Sequence, residues 1–324
     1  MRLVARILGD RVWAIPDGET GERQQWITWQ IEKLTAIDGV AYATNRKNQW
    51  QEEYDQRGIP SLEVDAGLER LPTGSLGYAD VAEYSYGIFC RLRDEGVIPA
   101  GVKFQVSVGT PYATVVSWVR PEDQERFLPI YTDALAEEVR AIADVVGDDL
   151  LLQYDVAVEI GVLTGATVAA GDLSKEDAVV ATLKDAFERT PAGVEQGVHL
   201  CYGDYQNRHF AVPGDLSLCV RLANTVADNI TFAHMPVDRD TGRDPGYFEA
   251  LKDLAPVSRL ALGVIDYDGD DDRVDQLIEA ANEGSGGREF AVATECGMAR
   301  IAARGGPSLE RLLDMHARVA APIR

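Results

Sequence analysis

Short runs of apolar and β-branched residues recur along the chain, and each run ends in glycine, aspartate or proline. Runs of this length, bounded by residues that favour turns, are typical of strands buried on both faces of a parallel sheet. Seven runs fit this description: VWAIPDG (12–18), KFQVSVGTP (103–111), LLLQYDVAVE (150–159), GVHLCYGD (197–204), NITFAHMPV (229–237), RLALGVIDYDG (259–269) and EFAVATECG (289–297).

Between these runs, apolar residues return at three- and four-residue spacing, which is the period of an amphipathic helix. Ser174 precedes one such segment, and because acidic residues follow it we expect it to be the N-cap. The predicted helices are FLPIYTDALAEEVRAIADVV (127–146), KEDAVVATLKDAFERT (175–190), PGDLSLCVRLANTVADN (213–229), DRVDQLIEAANEG (272–284) and SLERLLDMHARVA (308–320).

Strands and helices therefore alternate, which predicts an α/β fold with a parallel sheet. The spacing of roughly 30 residues in the second half suits the βα units of a (β/α)8 TIM barrel. We expect a single TIM-barrel domain over residues 1–324, with extra helices in the N-terminal third, inserted in the less regular region 40–100. A doubly wound sheet is the alternative, but DGETG (17–21) does not have the spacing of a dinucleotide-binding fingerprint.

The composition of the chain argues against several classes of function. The net charge is −22 at pH 7, and no basic stripe is present, which argues against nucleic acid as a partner. No segment approaches the ~20 consecutive apolar residues that span a membrane. Four cysteines among 324 residues do not make a disulfide framework, which predicts a cytoplasmic protein in a reducing environment. Whether the chain forms a homo-oligomer stays open.

Polar and ionisable residues follow the predicted strands. In a TIM barrel the carboxyl ends of the strands carry the active site, so these residues are candidates for binding and catalysis. In strand order they are Asp17, Glu19 and Arg23; Thr110 and Tyr112; Asp155 and Glu159; His199, Cys201 and Asp204; His234; Asp266 and Asp268; and Glu295, Cys296 and Arg300.

The H-x-C spacing of His199 and Cys201 raises the question of a metal. Residues two apart on a strand point to the same side, so both side chains can reach one ion. A further ligand from another strand end is needed, and Cys296 is the candidate. Because free cysteine is among the most buried residue types, an ordinary core cysteine beside an ordinary histidine is the alternative.

Four segments resemble the catalytic domain of cobalamin-independent methionine synthase. HLCYGD, TECGMAR, QYDVAVE and GVIDYDGD occur in the order and spacing of that family. Its superfamily also includes uroporphyrinogen decarboxylase and the corrinoid-to-thiol methyltransferases. The resemblance covers most of residues 10–305 and implies a TIM barrel whose zinc ion activates a thiol for alkyl transfer. By this resemblance the zinc ligands are His199, Cys201 and Cys296.

That ligand set suits thiol alkylation. Zinc removes the proton of a bound thiol, whose free pKa is about 8.5. Two cysteine thiolates balance the charge of the ion, so a substrate thiolate in the fourth position keeps much of its electron density. A zinc ion with neutral ligands is the stronger Lewis acid and suits water activation better.

The sequence departs from the methionine synthases at two positions. The family has a glutamate ligand after the next strand, where this chain has Ala233 with His234 beside it. We expect His234 to act as a ligand or as a catalytic acid, although a strand-end histidine without function is an open alternative. The family also has adjacent aspartate and glutamate in QYDVAVE, where this chain keeps Asp155 but has Val156. We expect Asp155 to be catalytic.

Several of the remaining candidates are expected to bind substrate. The leading hypothesis is a zinc-dependent transferase that joins a small thiol to an alkyl donor of the folate, corrinoid or epoxide type. Two alternatives stay open, a metal-free lyase resembling uroporphyrinogen decarboxylase and a non-catalytic module that binds zinc or a corrinoid. The expected substrate-binding residues are Asp17, Glu19, Arg23, Tyr112, Glu159, Asp266 and Arg300.

Overall fold

The computed structural model describes residues 1–17, 23, 26–47, 60–203, 209, 211–298, 301 and 305–322. Its strands are β1 (Ala14–Pro16), β2 (Val40–Lys47), β3 (Pro60–Val64), β4 (Lys103–Gly109), β5 (Leu150–Val156), β6 (Glu195–Leu200), β7 (Phe232–Pro236), β8 (Arg259–Ile265) and β9 (Ala291–Thr294). Its α-helices are α1 (Arg2–Leu8), α2 (Trp26–Thr35), α3 (Tyr78–Asp94), α4 (Pro111–Trp118), α5 (Pro121–Val146), α6 (Val158–Leu163), α7 (Glu176–Glu188), α8 (Ser217–Thr225), α9 (Asp271–Gly284) and α10 (Leu309–Val319).

A parallel sheet forms the centre of the molecule, with strand order β1-β4-β5-β6-β7-β8-β9. From β4 onward each strand lies beside the next one along the chain, and the connections between them contain helices. The sheet curls in the manner of a TIM barrel, so the predicted α/β fold of the TIM-barrel type is confirmed. Within the described residues this sheet has seven strands.

The burial of the strands explains why they appear in the sequence as almost continuous apolar runs. Every residue of β5 is buried, and so is every residue of β8 after its first. A parallel strand with both faces covered needs apolar residues at odd and even positions alike. For this reason all seven predicted strands are found in the sheet.

The predicted helices each overlap an observed helix, and two of them are capped at the amino end by a side chain. Asp270 accepts hydrogen bonds from the backbone N–H groups of Asp272 and Arg273 at the start of α9, and Ser308 accepts one from Arg311 at the start of α10. The prediction that Ser174 caps α7 is wrong. Its hydroxyl donates to the carbonyl of Gly171 within a 3₁₀ turn, and Lys175 occupies the N-cap position.

The N-terminal third contains the extra helices α2 and α3, as predicted. The region 40–100, however, is not purely helical, because β2 and β3 pair there as an antiparallel ribbon outside the main sheet. The amino end of α3 is fixed by Glu138 of α5, whose carboxylate accepts from the backbone N–H groups of Leu76, Gly77 and Ala79 at 3.1, 3.0 and 2.7 Å. No helix in the described part of the chain is both long and apolar enough to cross a bilayer.

Polar side chains of β4 and β5 form a connected network. Gln153 Nε2 donates to Asp155 Oδ1 at 2.8 Å and lies 3.2 Å from Ser107 Oγ, while Gln153 Oε1 accepts from Gln105 Nε2 at 3.1 Å. Because residues two apart share one side of a strand, this network occupies a single side of the sheet and leads to its carboxyl edge at Asp155.

Candidate metal centre and active site

Three ionisable side chains lie in one row across neighbouring strands. The register pairs Asp155 of β5 with His199 of β6, and His199 with His234 of β7. Residues paired in register in a parallel sheet project to the same side, so the three side chains meet there. The imidazole rings of His199 and His234 stack with centroids 4.3 Å apart and planes inclined by 28°.

The structure brings His199, Cys201 and Cys296 together. One potential ligand atom from each lies within 4.8 Å of the other two. The Sγ atoms of Cys201 and Cys296 are 3.6 Å apart, although 95 residues separate them in the sequence. His199 and Cys201 are buried, and Cys296 is partly buried. The geometry therefore has the donor types and the closeness that a single cation needs.

Cys201 reaches this position because β6 continues its hydrogen bonding past its last residue. The backbone N–H of Cys201 donates to the carbonyl of Val156 at 2.9 Å, which extends the pairing with β5. The alternation of the strand is therefore maintained from His199 to Cys201, as the H-x-C spacing predicts.

Cys296 is held by its backbone rather than by strand pairing. The hydroxyl of Thr294 donates to the carbonyl of Cys296 at 2.6 Å, and the backbone N–H of Cys296 donates to the hydroxyl of Tyr267. A Cβ atom at Gly263 would lie 2.6 Å from Cα of Glu295. Glycine in β8 therefore allows the turn that carries Cys296 to approach the sheet.

His234 is buried beside the cluster. Its Nε2 lies 3.0 Å from the carbonyl oxygen of Thr294, so this nitrogen carries the proton and donates it. Burial, together with the neighbouring His199, lowers the pKa of His234 to about 3, and its ring is therefore neutral.

Glu159 and Tyr112 lie at the ends of β5 and β4, but they are strongly buried. Glu159 is 1% exposed; Thr110 donates to one carboxylate oxygen, and burial raises the pKa of Glu159 to about 7. The other oxygen, Oε2, is buried with no hydrogen-bond partner among the described residues. Tyr112 is fully buried and donates to the carbonyl of Leu173 at 2.6 Å.

The other predicted substrate-binding residues lie in different surroundings. Asp17 and Arg23 form a largely buried ion pair at 2.7 Å. Asp266 is bound by Arg273 at 2.8 Å and accepts from the backbone N–H groups of Asp268 and Asp270, so its carboxylate organises the turn after β8. The predictions for Glu19, Asp204 and Arg300 fall outside the described residues.

Sequence reasoning missed His209 and Asp238, which lie near the three candidate metal ligands. His209 lies between two carboxylates, with Nε2 2.5 Å from Glu295 Oε1 and Nδ1 3.7 Å from Asp238 Oδ2. Burial alone would lower the pKa of His209, but the hydrogen bond to Glu295 and the charge of Asp238 outweigh burial and raise it. The scarcity of histidine, with four in the chain, is the only sequence signal for this residue.

Comparison with known proteins identifies the fold. Neither a protein-family model nor a curated protein sequence matches the chain. A solved structure from Listeria monocytogenes, provisionally described as a vitamin-B12-independent methionine synthase, matches with a TM-score of 0.56 and 16% identity, over 98% of this chain and 84% of that one. A methyltransferase from Methanosarcina mazei matches with a TM-score of 0.52 and 14% identity, over 90% of this chain and 76% of that one. This chain therefore shares the fold of both proteins, as the resemblance implies.

Proposed function

We propose that this protein is a zinc-dependent alkyltransferase, most simply a methyltransferase, that uses a small thiol as acceptor. The observation that carries the proposal is the separation of the two cysteine sulfurs. Two sulfurs each about 2.3 Å from a tetrahedral zinc lie ~3.8 Å apart, and the observed distance between Sγ of Cys201 and Sγ of Cys296 is 3.6 Å.

The donor set fits zinc in its chemistry as well as in its spacing. One imidazole and two thiolates are usual zinc ligands, and three protein ligands leave a fourth position for a substrate. When bound, the ion would lower the pKa of a substrate thiol and present its sulfur as a nucleophile. The charge of two thiolates favours alkylation of sulfur over hydrolysis, because it reduces the Lewis acidity of the ion.

The residues around the cluster have assigned roles in this proposal. His199, Cys201 and Cys296 hold the ion. Asp155 and His234 lie on either side of His199 in the register row, and we assign proton transfer at the reacting sulfur and the leaving group to them. Gln153, which donates to Asp155 at 2.8 Å, fixes the orientation of that carboxylate.

The reaction forms a bond between sulfur and carbon and breaks the bond between that carbon and the donor, while the proton of the thiol leaves. Similarity in fold to a protein described as a methionine synthase and to a methyltransferase supports a methyl group as the transferred unit. Folate, corrinoid and epoxide donors are the classes to be compared. The proposed substrate-binding residues remain Asp17, Glu19, Arg23, Tyr112, Glu159, Asp266 and Arg300. We also propose a cytoplasmic location, since a reducing environment keeps both cysteines available as ligands.

Elemental analysis of the protein, purified without added metal, tests the metal centre. We expect close to one zinc per chain, and we expect its loss in the Cys201→Ser/Cys296→Ser double variant. The Cys90→Ser/Cys219→Ser double variant is the matched control, because these cysteines lie in α3 and α8 and it should keep the metal. Absence of zinc from the unaltered protein under metal-replete conditions would contradict the proposal.

Turnover then tests the activity. β-Mercaptoethanol is offered with 5-methyltetrahydrofolate, methylcobalamin or propylene oxide, and the alkylated thiol is measured by mass spectrometry. Alkylated product with one donor and with the zinc-containing protein only is the expected result. A zinc-containing protein that alkylates no thiol with any of the three would favour the binding module instead.

A further inference from the structure

The group formed by His209, Glu295 and Asp238, here called the His209 clasp, joins three segments of the chain. His209 follows β6, Asp238 follows β7, and Glu295 follows β9. The imidazole lies between the two carboxylates, 2.5 Å from Glu295 and 3.7 Å from Asp238. The side chains of all three residues are mostly buried, with 19%, 12% and 11% of His209, Glu295 and Asp238 exposed.

Hydrogen bonds fix the side chain of Asp238 within the His209 clasp. Its Oδ1 accepts from the backbone N–H groups of Asp240 and Thr241 and from the hydroxyl of Thr241, at 3.1, 2.9 and 2.9 Å. Its own backbone N–H donates to the hydroxyl of Tyr247, which is hydrogen-bonded to that of Tyr202 at 2.6 Å. Oδ2 is therefore held in one direction, towards His209.

Tyr202 fixes the other side of the imidazole. Its ring meets that of His209 edge to face, with centroids 5.7 Å apart and planes at 82°. Tyr202 directly follows Cys201 in the sequence. His209 therefore contacts Tyr202, which is next to Cys201 in the sequence, and Glu295, which is next to Cys296.

Glu295 directly precedes Cys296, so its position determines where that cysteine lies. The turn containing both residues packs against β8 at Gly263. Strand pairing does not extend to Cys296, because β9 ends at Thr294. Apart from the hydrogen bonds of its backbone with Thr294 and Tyr267, the contact between Glu295 and His209 is a restraint on this turn.

We propose that His209 is a positioning residue, which binds Glu295 and Asp238 and thereby holds Cys296 next to Cys201 for metal binding. The proposal rests on the proposed function, because it concerns the same metal centre. It adds a residue that lies outside both the H-x-C spacing and the TECGMAR segment.

Zinc affinity tests the clasp in the intact protein. His209→Ala should weaken zinc binding by about 10- to 100-fold, the usual range for residues that support metal ligands, as measured by competition with a chromogenic chelator. Glu295→Gln should weaken it as well, and the two effects should not add in the double variant, because both remove one interaction. Glu295→Gln also serves if His209→Ala does not fold.

Glu195 provides the matched control. It lies at the start of β6 and pairs with Lys103 and Arg259 at the amino ends of β4 and β8, at 2.8 and 3.2 Å. Glu195→Gln therefore weakens an ion-pair link between three strands at the opposite end of the sheet. We expect it to lower the midpoint of thermal unfolding without changing zinc affinity.

A second measurement needs no metal. In the metal-free protein, diamide oxidises two neighbouring thiols to a disulfide and is itself reduced to the hydrazine. Cross-linking of Cys201 to Cys296, followed as the loss of two hydrogens by mass spectrometry, should be several-fold slower in His209→Ala and unchanged in Glu195→Gln. A protein that binds no zinc but shows this slowing would reject the proposed function and keep the clasp. Unchanged zinc affinity together with unchanged cross-linking in His209→Ala would overturn the clasp.

Discussion

The imidazole rings of His199 and His234 stack against each other from neighbouring strands, with centroids 4.3 Å apart. His234 occupies the position next to the predicted ligand, and its Nε2 is already bonded to the carbonyl of Thr294 at 3.0 Å. His234 is not among the three residues whose ligand atoms come together in the described chain. This arrangement favours a catalytic role for His234 over a role as fourth ligand.

A substitution separates those two roles of His234. His234→Gln keeps a donor for the carbonyl of Thr294 but removes the imidazole, so the variant should retain close to one zinc per chain. We expect the turnover number to fall by about 100- to 10,000-fold, the range of general acid–base catalysis. Elemental analysis and steady-state kinetics on the same preparation provide both measurements. Loss of zinc would instead identify His234 as a ligand.

Substitution of Gly263 tests whether the turn after β9, which carries Cys296, must lie close to β8. A Cβ atom there would lie 2.6 Å from Cα of Glu295, which is backbone and cannot easily move away. Gly263→Ala should therefore shift Cys296, weaken zinc binding by at least about tenfold, and cost about 1–3 kcal/mol of stability, as overpacking does. Chelator competition and urea unfolding measure the two effects.

Gly87 provides the control for that substitution. It lies exposed within α3, and a Cβ atom there would meet no atom within 4 Å. Gly87→Ala should stabilise the protein by roughly 0.5–1 kcal/mol through helix propensity and leave zinc binding unchanged. Equal zinc affinity in the Gly263 and Gly87 variants would mean that the turn does not depend on glycine.

Glu159 should make stability depend on pH. Burial raises the pKa of Glu159 from 4.5 to about 7, so between these values the folded state keeps a proton that the unfolded state has lost. The contribution is fully present below pH 4.5 and is lost as the pH rises through 7, which amounts to about 3 kcal/mol.

The Glu159→Gln variant carries a neutral group at every pH, so it tests whether Glu159 makes stability depend on pH. Urea unfolding of the metal-free protein at pH 5 and pH 8 should show the variant gaining stability relative to the unaltered chain at the higher pH. Glu279→Gln changes the charge equally at an exposed position of α9 and should show no such gain. A difference between Glu159→Gln and the unaltered chain that is the same at both pH values would contradict a raised pKa.

The sequence is most informative where structure follows from local pattern. Buried parallel strands have apolar residues on both of their faces, and β5 and β8 are therefore recognisable from the letters alone. The spacing of His199 and Cys201 places them on one side of β6 for the same reason. The β2–β3 ribbon was missed because its residues do not form a continuous apolar run.

Other features depend on how distant segments meet, and no local pattern predicts them. His209 lies outside any strand and acquires its environment only when Asp238 and Glu295 approach it. Such contacts are formed by tertiary structure, so a single sequence does not contain them in readable form.

We expect His199, Cys201 and Cys296 to bind one cation that accepts a thiol sulfur. X-ray absorption at the zinc edge tests it most directly, because it counts sulfur neighbours at about 2.3 Å from the metal. We expect two sulfurs and one imidazole nitrogen from the protein, with a third sulfur after β-mercaptoethanol is added. A zinc ion with no sulfur neighbour, or a sulfur count unchanged by the thiol, would contradict it.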